Sequence, residues 1–194
     1  LELLLSITIT MMVAAAIAAM LGAVSSGVGT RRDHRSSMLL ANAAQARLAA
    51  YIAPARCVLD LGSSGMVLWL DDGRAGETVH ATEIRWLLFD KSTGEIGVYW
   101  VNFPAAWNQA ARDLEDHEYP ASEDWLALFA TYQAKGLMSG QVLLDGLADV
   151  EIEADEADAL DARQVMFNIQ CATSAEPVSV LVTSTIRSHE VPVS

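Results

Sequence analysis

Residues 3–28 read LLLSITITMMVAAAIAAMLGAVSSGV and contain no charged side chain. A single acid, Glu2, stands in front of this run, and two arginines, Arg31 and Arg32, follow shortly after it. A helix needs about 20 apolar residues to cross the roughly 30 Å hydrocarbon core of a bilayer, so the run is long enough to span one. It is apolar on every face, which is atypical of a surface helix in a globular domain. The run therefore predicts a membrane-spanning N-terminal helix.

The residues at the front of the run distinguish between kinds of N-terminal segment. A secretory signal peptide has a basic beginning and an apolar region of about 7–15 residues, whereas this run is longer and follows an acid. A plain membrane anchor fits the length but leaves the acid unexplained. The chain begins with Leu1-Glu2-Leu3-Leu4-Leu5, then Ile7, Ile9 and an alanine-rich tail. This pattern resembles the mature N-terminus of type IV pilins and of the pseudopilins of type II secretion.

The resemblance implies a fold and a function. The implied fold is α+β, with a long N-terminal hydrophobic helix packed on an antiparallel β-sheet domain, as in a minor pseudopilin or minor pilin. The implied function is that of a structural subunit of a pilus-like filament, whose partners are other pilin or pseudopilin subunits. In that family a leader is removed and the new N-terminal amine is methylated. By resemblance, Glu2, Leu3, Leu4 and Leu5 are the assembly residues, and Glu2 meets the amine of a neighbouring subunit.

The same resemblance implies a location. The chain would pass once through the inner membrane with its C-terminal domain outside the cytoplasm, and would enter a periplasmic or cell-surface filament on assembly. A different function class remains open, namely a membrane-anchored domain outside the cytoplasm that binds a ligand or partner. An acid exposed at the level of the lipid head groups is likewise an alternative role for Glu2.

Three glycines loosen the end of the apolar run, Gly22, Gly27 and Gly29. Each glycine destabilises a helix by about 1 kcal/mol relative to alanine, so this is the weakest stretch of the predicted helix. The glycines are consistent with a segment that melts when a filament lengthens. They are equally consistent with small residues at a helix–helix contact.

Charge divides the chain of 194 residues unevenly. Residues 1–56 carry five basic residues and two acids, whereas residues 57–194 carry seven basic residues and twenty-three acids. Nucleic acid is therefore excluded as a partner, because its binding depends on clustered lysine and arginine. We predict three segments: a hydrophobic helix over 1–29, its amphipathic continuation over 30–56, and an acidic β-rich domain over 57–194.

The spacing of apolar residues predicts the elements that follow. Helical spacing continues from Thr30 to Ile52 and ends before Pro54. Alternation then predicts hairpins around 62–65 and 90–94, and four strands in the C-terminal third, of which the last two should pair. Asp113 to Pro120 reads as a solvated acidic loop. Beyond it, Ser122 is the expected N-cap of a helix whose stripe Trp125, Leu128, Phe129 and Tyr132 forms a core face or, alternatively, a partner-binding face.

The sequence contains no pattern on which to build an enzyme. The motifs of serine hydrolases, zinc proteases, P-loop proteins and dithiol oxidoreductases are absent, and the four histidines are scattered. His117 lies among acids, an arrangement more typical of a solvated loop than of a metal site. We therefore predict a protein that is not an enzyme and has no cofactor, apart from a calcium ion that the acidic residues 151–161 could hold.

The chain has two cysteines, Cys57 and Cys171, both in predicted strands. In an oxidising compartment they could form one disulfide across a loop of more than a hundred residues. Two buried free thiols are the alternative.

Overall fold

The computed structural model describes residues 11–12, 15, 17–21, 38–70, 78–171 and 178–193. The chain divides into two compact units, residues 1–40 and residues 41–194. In the first unit, residues 11–12, 15, 17–21 and 38–40 are helical. The second unit contains the sheets.

The second unit consists mainly of antiparallel strands with short helices. Its strands are β1 Ala55–Gly62, β2 Gly65–Leu70, β3 Val79–His80, β4 Ile84–Asp90, β5 Glu95–Val101, β6 Glu118–Tyr119, β7 Met138–Leu144, β8 Leu147–Ala154, β9 Gln164–Cys171 and β10 Val178–Thr185. Within this unit the helix α1 covers residues 41–52, and α2 Gln109–Glu115 and α3 Trp125–Ala134 follow it. Two 3-10 turns occupy Ala81–Glu83 and Ala159–Asp161.

The described strands form three antiparallel sheets. The largest has the order β1-β2-β4-β5-β7, the second has the order β10-β9-β8, and β3 pairs with β6. Both predicted hairpins are confirmed: β1 pairs with β2 across the turn between Gly62 and Gly65, and β4 pairs with β5 with Asp90 opposite Glu95. The predicted pairing of the last two strands is also confirmed, with Val178 opposite Cys171.

Both faces of the five-stranded sheet are buried. Successive residues of a strand point to opposite faces. One face contributes Trp69 and Trp86 to a core that also contains Trp125, Leu128 and Tyr132 of α3. The opposite face is equally covered, because the alternate residues Val58, Met66, Leu68, Leu87, Ile96 and Val98 are at most 2% exposed.

Two glycines accommodate an aromatic ring on the α3 side of this sheet. A Cβ at Gly97 would lie 2.7 Å from the Tyr99 hydroxyl, and a Cβ at Gly140 would lie 2.5 Å from Cδ1 of the same ring. The ring of Tyr99 therefore covers the space that both glycines leave open. From there it meets Phe129 of α3 edge-on, with ring centroids 5.5 Å apart.

The helix α1 is amphipathic. Ala44, Leu48 and Ile52 are fully buried at a spacing of four residues, which places them on one face. Two polar side chains of α1 bind backbone carbonyls of strands that lie at sheet edges: Gln45 donates to Thr183 of β10 over 2.8 Å, and Arg47 donates to Leu143 of β7 over 2.5 Å. The helix ends at residue 52, as Pro54 predicts.

The fold class and location that the N-terminal run suggested are corrected here. The predicted long hydrophobic helix packed on a sheet is wrong: the described residues form mainly antiparallel sheets with short helices. Among these residues, no helix combines the length and apolar character that crossing a membrane requires. The predicted transmembrane helix, and with it the single-pass inner-membrane location, is therefore contradicted. Within the apolar run, the described helical residues are 11–12, 15 and 17–21, which are fewer than the about 20 residues that a span requires.

The stretch 113–125 also departs from prediction. It contains α2 and β6 where a solvated loop was expected, and Asp116 is 1% exposed. The cap of α3 is Asp124 rather than Ser122, since the Asp124 side chain accepts a hydrogen bond from the amide of Ala127 over 2.9 Å. The core face of α3 is confirmed, because Trp125, Leu128 and Tyr132 are all buried.

Candidate functional site

The residues to which the pilin resemblance assigns assembly lie outside the described part of the chain. These are Glu2, Leu3, Leu4 and Leu5, together with the predicted melting segment at Gly22, Gly27 and Gly29. Their roles therefore stay predictions.

The two cysteines are free and buried, which is the alternative to the predicted disulfide. Cys57 lies in β1 of the five-stranded sheet, and Cys171 ends β9 of the three-stranded sheet. Burial raises the pKa of the Cys57 thiol to about 12 and also raises the pKa of Cys171. Because the thiolate is the reactive form, both side chains behave as small apolar groups.

The acidic stretch proposed for calcium uses two of its carboxylates locally. Asp155 accepts hydrogen bonds from the amides of Arg163 and Gln164 over 3.0 and 2.9 Å, and Asp158 caps the turn at Leu160 over 3.0 Å. Burial tends to raise the pKa of Asp155, but its backbone hydrogen bonds outweigh this and lower the pKa. No group of three or more histidine, cysteine or acidic residues that could hold a metal ion occurs among the described residues. Calcium binding remains an untested prediction.

The interior contains two carboxylates that the sequence reading missed. Glu83 is 3% exposed and accepts hydrogen bonds from the Trp69 indole over 2.9 Å and from the His80 amide over 3.2 Å. Asp116 accepts from the amide and the hydroxyl of Thr82, over 3.1 and 2.9 Å. Both acids thus fasten the segment around the 3-10 turn to the core, a structural role that satisfies buried polar groups. The spacing from His80 to Glu83, that of a capping box, was the available signal.

Tyr119 and Tyr132 form a second buried polar pair beside α3. Their hydroxyl oxygens lie 2.9 Å apart, and the Tyr132 hydroxyl also donates to the backbone carbonyl of Glu115 over 2.9 Å. Burial raises the pKa of Tyr132 and of Tyr119, so both hydroxyls stay protonated at neutral pH. The rings of His117 and Tyr119 lie close together at a tilt of 39°, with centroids 4.3 Å apart.

An open groove lies where the edge strand β1 meets the beginning of α3. It has a volume of about 810 Å³ and is lined by residues 59–61 of β1, residues 121–125, and residues 157–160. We call it the acidic groove, because its charged lining residues are Asp60, Glu123, Asp124 and Asp158. No basic residue is among those that line it. The groove is therefore suited to a cationic partner rather than an anion.

A smaller groove, of about 560 Å³, lies against the three-stranded sheet and has mixed charge. Lys91 and Asp149 line it and form an ion pair over 3.3 Å. Asn168 and Gln170 of β9 supply amides to the same lining. Two acids, Asp149 and Glu151, face the one lysine in this lining, so its net negative charge is smaller than that of the acidic groove.

The exposed side of α3 adjoins the acidic groove at Trp125. The helix reads WLALFATYQA and has no charged residue. Its exposed positions are Leu126, Ala127, Ala130, Thr131, Gln133 and Ala134, and Leu126 is 55% exposed. The outer face of α3 is thus uncharged and largely apolar, although the chain has a net charge of −13.

Comparisons with known proteins add no assignment: no family model matches the sequence, and no curated protein or solved structure matches the chain. The acidic groove combines carboxylates with an adjoining helix face that is largely apolar. Its charge is complementary to a basic surface.

Proposed function

We propose that this chain is a structural subunit of a pilus-like filament, without catalytic activity. The observation that carries the proposal is the single acid, Glu2, in front of 26 residues without charge. It rests on the sequence and on the resemblance to pilins and pseudopilins, and it does not depend on a membrane-spanning helix.

The physical role of Glu2 follows from its surroundings in such an assembly. Apolar segments that bundle together create a region of low dielectric, where an unpaired carboxylate is strongly unfavourable. Pairing with the N-terminal amine of a neighbouring subunit neutralises both charges. Because the pair forms at only one axial offset between subunits, it sets the register in which each subunit enters.

The acidic domain is compatible with this role. Its described buried carboxylates Glu83 and Asp116 are engaged in holding the fold together. Its outer surface offers an acidic groove and an apolar helix face, which are features of a protein that contacts other proteins.

The test replaces Glu2 and measures incorporation. Cells that produce the full-length chain are sheared, and the released filaments are probed for wild-type and for tagged Glu2→Leu subunits that are expressed together. We expect the tagged variant to fold normally but to be depleted at least tenfold from filaments, since leaving one partner of a buried pair unmatched costs about 3–5 kcal/mol. Glu153→Leu, at an exposed position of β8, is the matched control and should incorporate normally. Absence of filaments containing the wild-type chain, or equal incorporation of Glu2→Leu, would contradict the proposal.

A further inference from the structure

The outer face of α3 lacks an occupant among the described residues. Leu126, Ala127, Ala130 and Ala134 are exposed along one side of the helix, where Gln133 is the exposed polar residue among them. Alanines allow the close approach of another chain, and Leu126 supplies a larger apolar side chain at the end next to the acidic groove. Their apolar character calls for a partner, but it does not by itself identify one.

Charge identifies the partner. The acidic groove at the beginning of α3 carries Asp60, Glu123, Asp124 and Asp158 and no basic lining residue. The complementary charge occurs in the same sequence, in the stretch RRDHR of residues 31–35, which contains three arginines and one acid. This basic stretch is followed by Met38 and Leu39, which are 71% and 63% exposed in the described structure. Basic charge next to exposed apolar residues is the complement of the acidic groove next to the apolar face of α3.

We infer that the acidic groove and the outer face of α3 bind the basic stretch and the adjoining residues Met38 and Leu39 of a second copy of this chain. The inference rests on the proposed filament function and specifies the contact between subunits. The two surfaces differ, so the contact is head-to-tail rather than two-fold symmetric. Repetition of a head-to-tail contact that does not close into a ring builds an open filament.

The three-stranded sheet provides a comparison within the same molecule. Its edge strand β8 also carries acids, Asp149, Glu151 and Glu153, but Asp149 already pairs with Lys91. The strand alternates these acids with buried residues and offers no exposed helix face beside them. A charge reversal at Glu153 therefore changes the net charge as much as one at Glu123 while leaving the proposed contact untouched.

A charge-exchange experiment tests the electrostatic half of the contact. Glu123 is chosen because the caps made by Asp124 and Asp158 stay intact when it is replaced. Tagged Glu123→Arg and Arg35→Glu chains should each incorporate into wild-type filaments at least about threefold less than the wild-type chain, as expected when a charge pair turns repulsive. Filaments assembled from the double variant should recover, because the exchanged charges attract again. Glu153→Arg should incorporate like the wild type. Equal incorporation of all variants would overturn the inference.

A cross-linking experiment tests the position of the contact without requiring filaments. One population carries Leu126→Cys and the other carries Met38→Cys, each with a different tag, and a short bifunctional maleimide links exposed thiols. The native Cys57 and Cys171 are buried, and the wild-type chain is the control for their reactivity. We expect linked pairs of the two different variants and no pairs within one population. Leu114→Cys, on α2 at a position that is 84% exposed, should give no linked pair with Met38→Cys. Pairs formed equally with Leu114→Cys would overturn the inference.

The two proposals fail in different ways. If filaments form but neither charge exchange nor cross-linking identifies α3, the filament function stands and the inferred contact is wrong. If the cross-link forms between copies but sheared filaments never contain the chain, the contact exists and the filament function is wrong.

Discussion

The Tyr99 ring packs over Gly97 and Gly140, so the effect of Gly140→Ala on the free energy of unfolding should depend on whether that ring is present. A Cβ at Gly140 would lie 2.5 Å from the Tyr99 ring and 3.4 Å from the carbonyl oxygen of Val98. An ordinary contact requires the ring to move by about 1 Å. Overpacking of this kind costs about 1–3 kcal/mol. Alanine in place of glycine within a strand returns about 0.5–1 kcal/mol by reducing the freedom of the unfolded chain.

We therefore expect Gly140→Ala to destabilise the wild-type protein by up to about 2.5 kcal/mol. In a Tyr99→Ala background the ring is gone, and the same substitution should stabilise by about 0.5–1 kcal/mol. The coupling between the two sites is then about 1–3 kcal/mol, within the range seen for residues in contact. For a chain of this size, 1 kcal/mol shifts Tm by about 2–4 °C.

The measurement is urea unfolding of the four chains of this double-mutant cycle, followed by far-UV circular dichroism and by tryptophan fluorescence. Gly62→Ala is the matched control, since a Cβ there meets no atom closer than 3.7 Å and the residue is exposed in the β1–β2 turn. It should change stability by less than about 0.5 kcal/mol. An equal destabilisation by Gly140→Ala in both backgrounds would refute the reasoning, because the ring would then not be what the new methyl group meets.

Two further predictions concern titratable side chains of the core. Because burial raises the pKa of Tyr119 and of Tyr132, the stability these hydroxyls contribute is complete below the ordinary tyrosine pKa of about 10 and is lost as pH rises through their folded-state pKa values. In urea unfolding, the free energy of unfolding should therefore fall more steeply above about pH 10 in the wild type than in a Tyr119→Phe/Tyr132→Phe variant. Parallel pH curves for the two proteins would refute this. In the native protein at pH 8, Cys57 and Cys171 should resist alkylation by iodoacetamide, since burial raises the pKa of both thiols. After unfolding without reductant, intact mass should show two alkyl adducts per chain. Fewer than two adducts would show a disulfide instead.

Local features were predictable because their causes are local. The turn Gly62-Ser63-Ser64-Gly65 between alternating strands predicts the β1–β2 hairpin, and the structure pairs Gly62 with Gly65. The stripe of Trp125, Leu128 and Tyr132 predicts the buried face of α3. Each of these depends on a repeat of two or 3.6 residues and on neighbouring turn or cap residues. The cap of α3 was still misplaced by two residues, because Ser122, Glu123 and Asp124 all suit a helix start.

The candidate site was predictable only in part. Acidic composition and the apolar residues of α3 are visible in the sequence, but the acidic groove combines Asp60, Glu123 and Asp158 from three separate segments. The burial of Glu83 beside the Trp69 indole likewise brings together residues 14 positions apart on different elements. A local sequence pattern cannot predict that residues from such separate segments come together, because this depends on which strands become neighbours.

The sequence by itself determined the uncharged run behind Glu2, the division of charge, the hairpins and the core stripe of α3, since these follow from composition and short-range periodicity. Only the tertiary structure decided that β7 lies beside β5, that Cys57 and Cys171 are buried as free thiols in different sheets, and that Tyr99 covers Gly97 and Gly140. The physical reason is that pairing between distant strands is selected by the burial of the whole core, in which many weak contacts act together. The tertiary structure likewise decided which face of α1 is buried, since Ala44, Leu48 and Ile52 pack inward while Gln45 and Arg47 bind strand carbonyls.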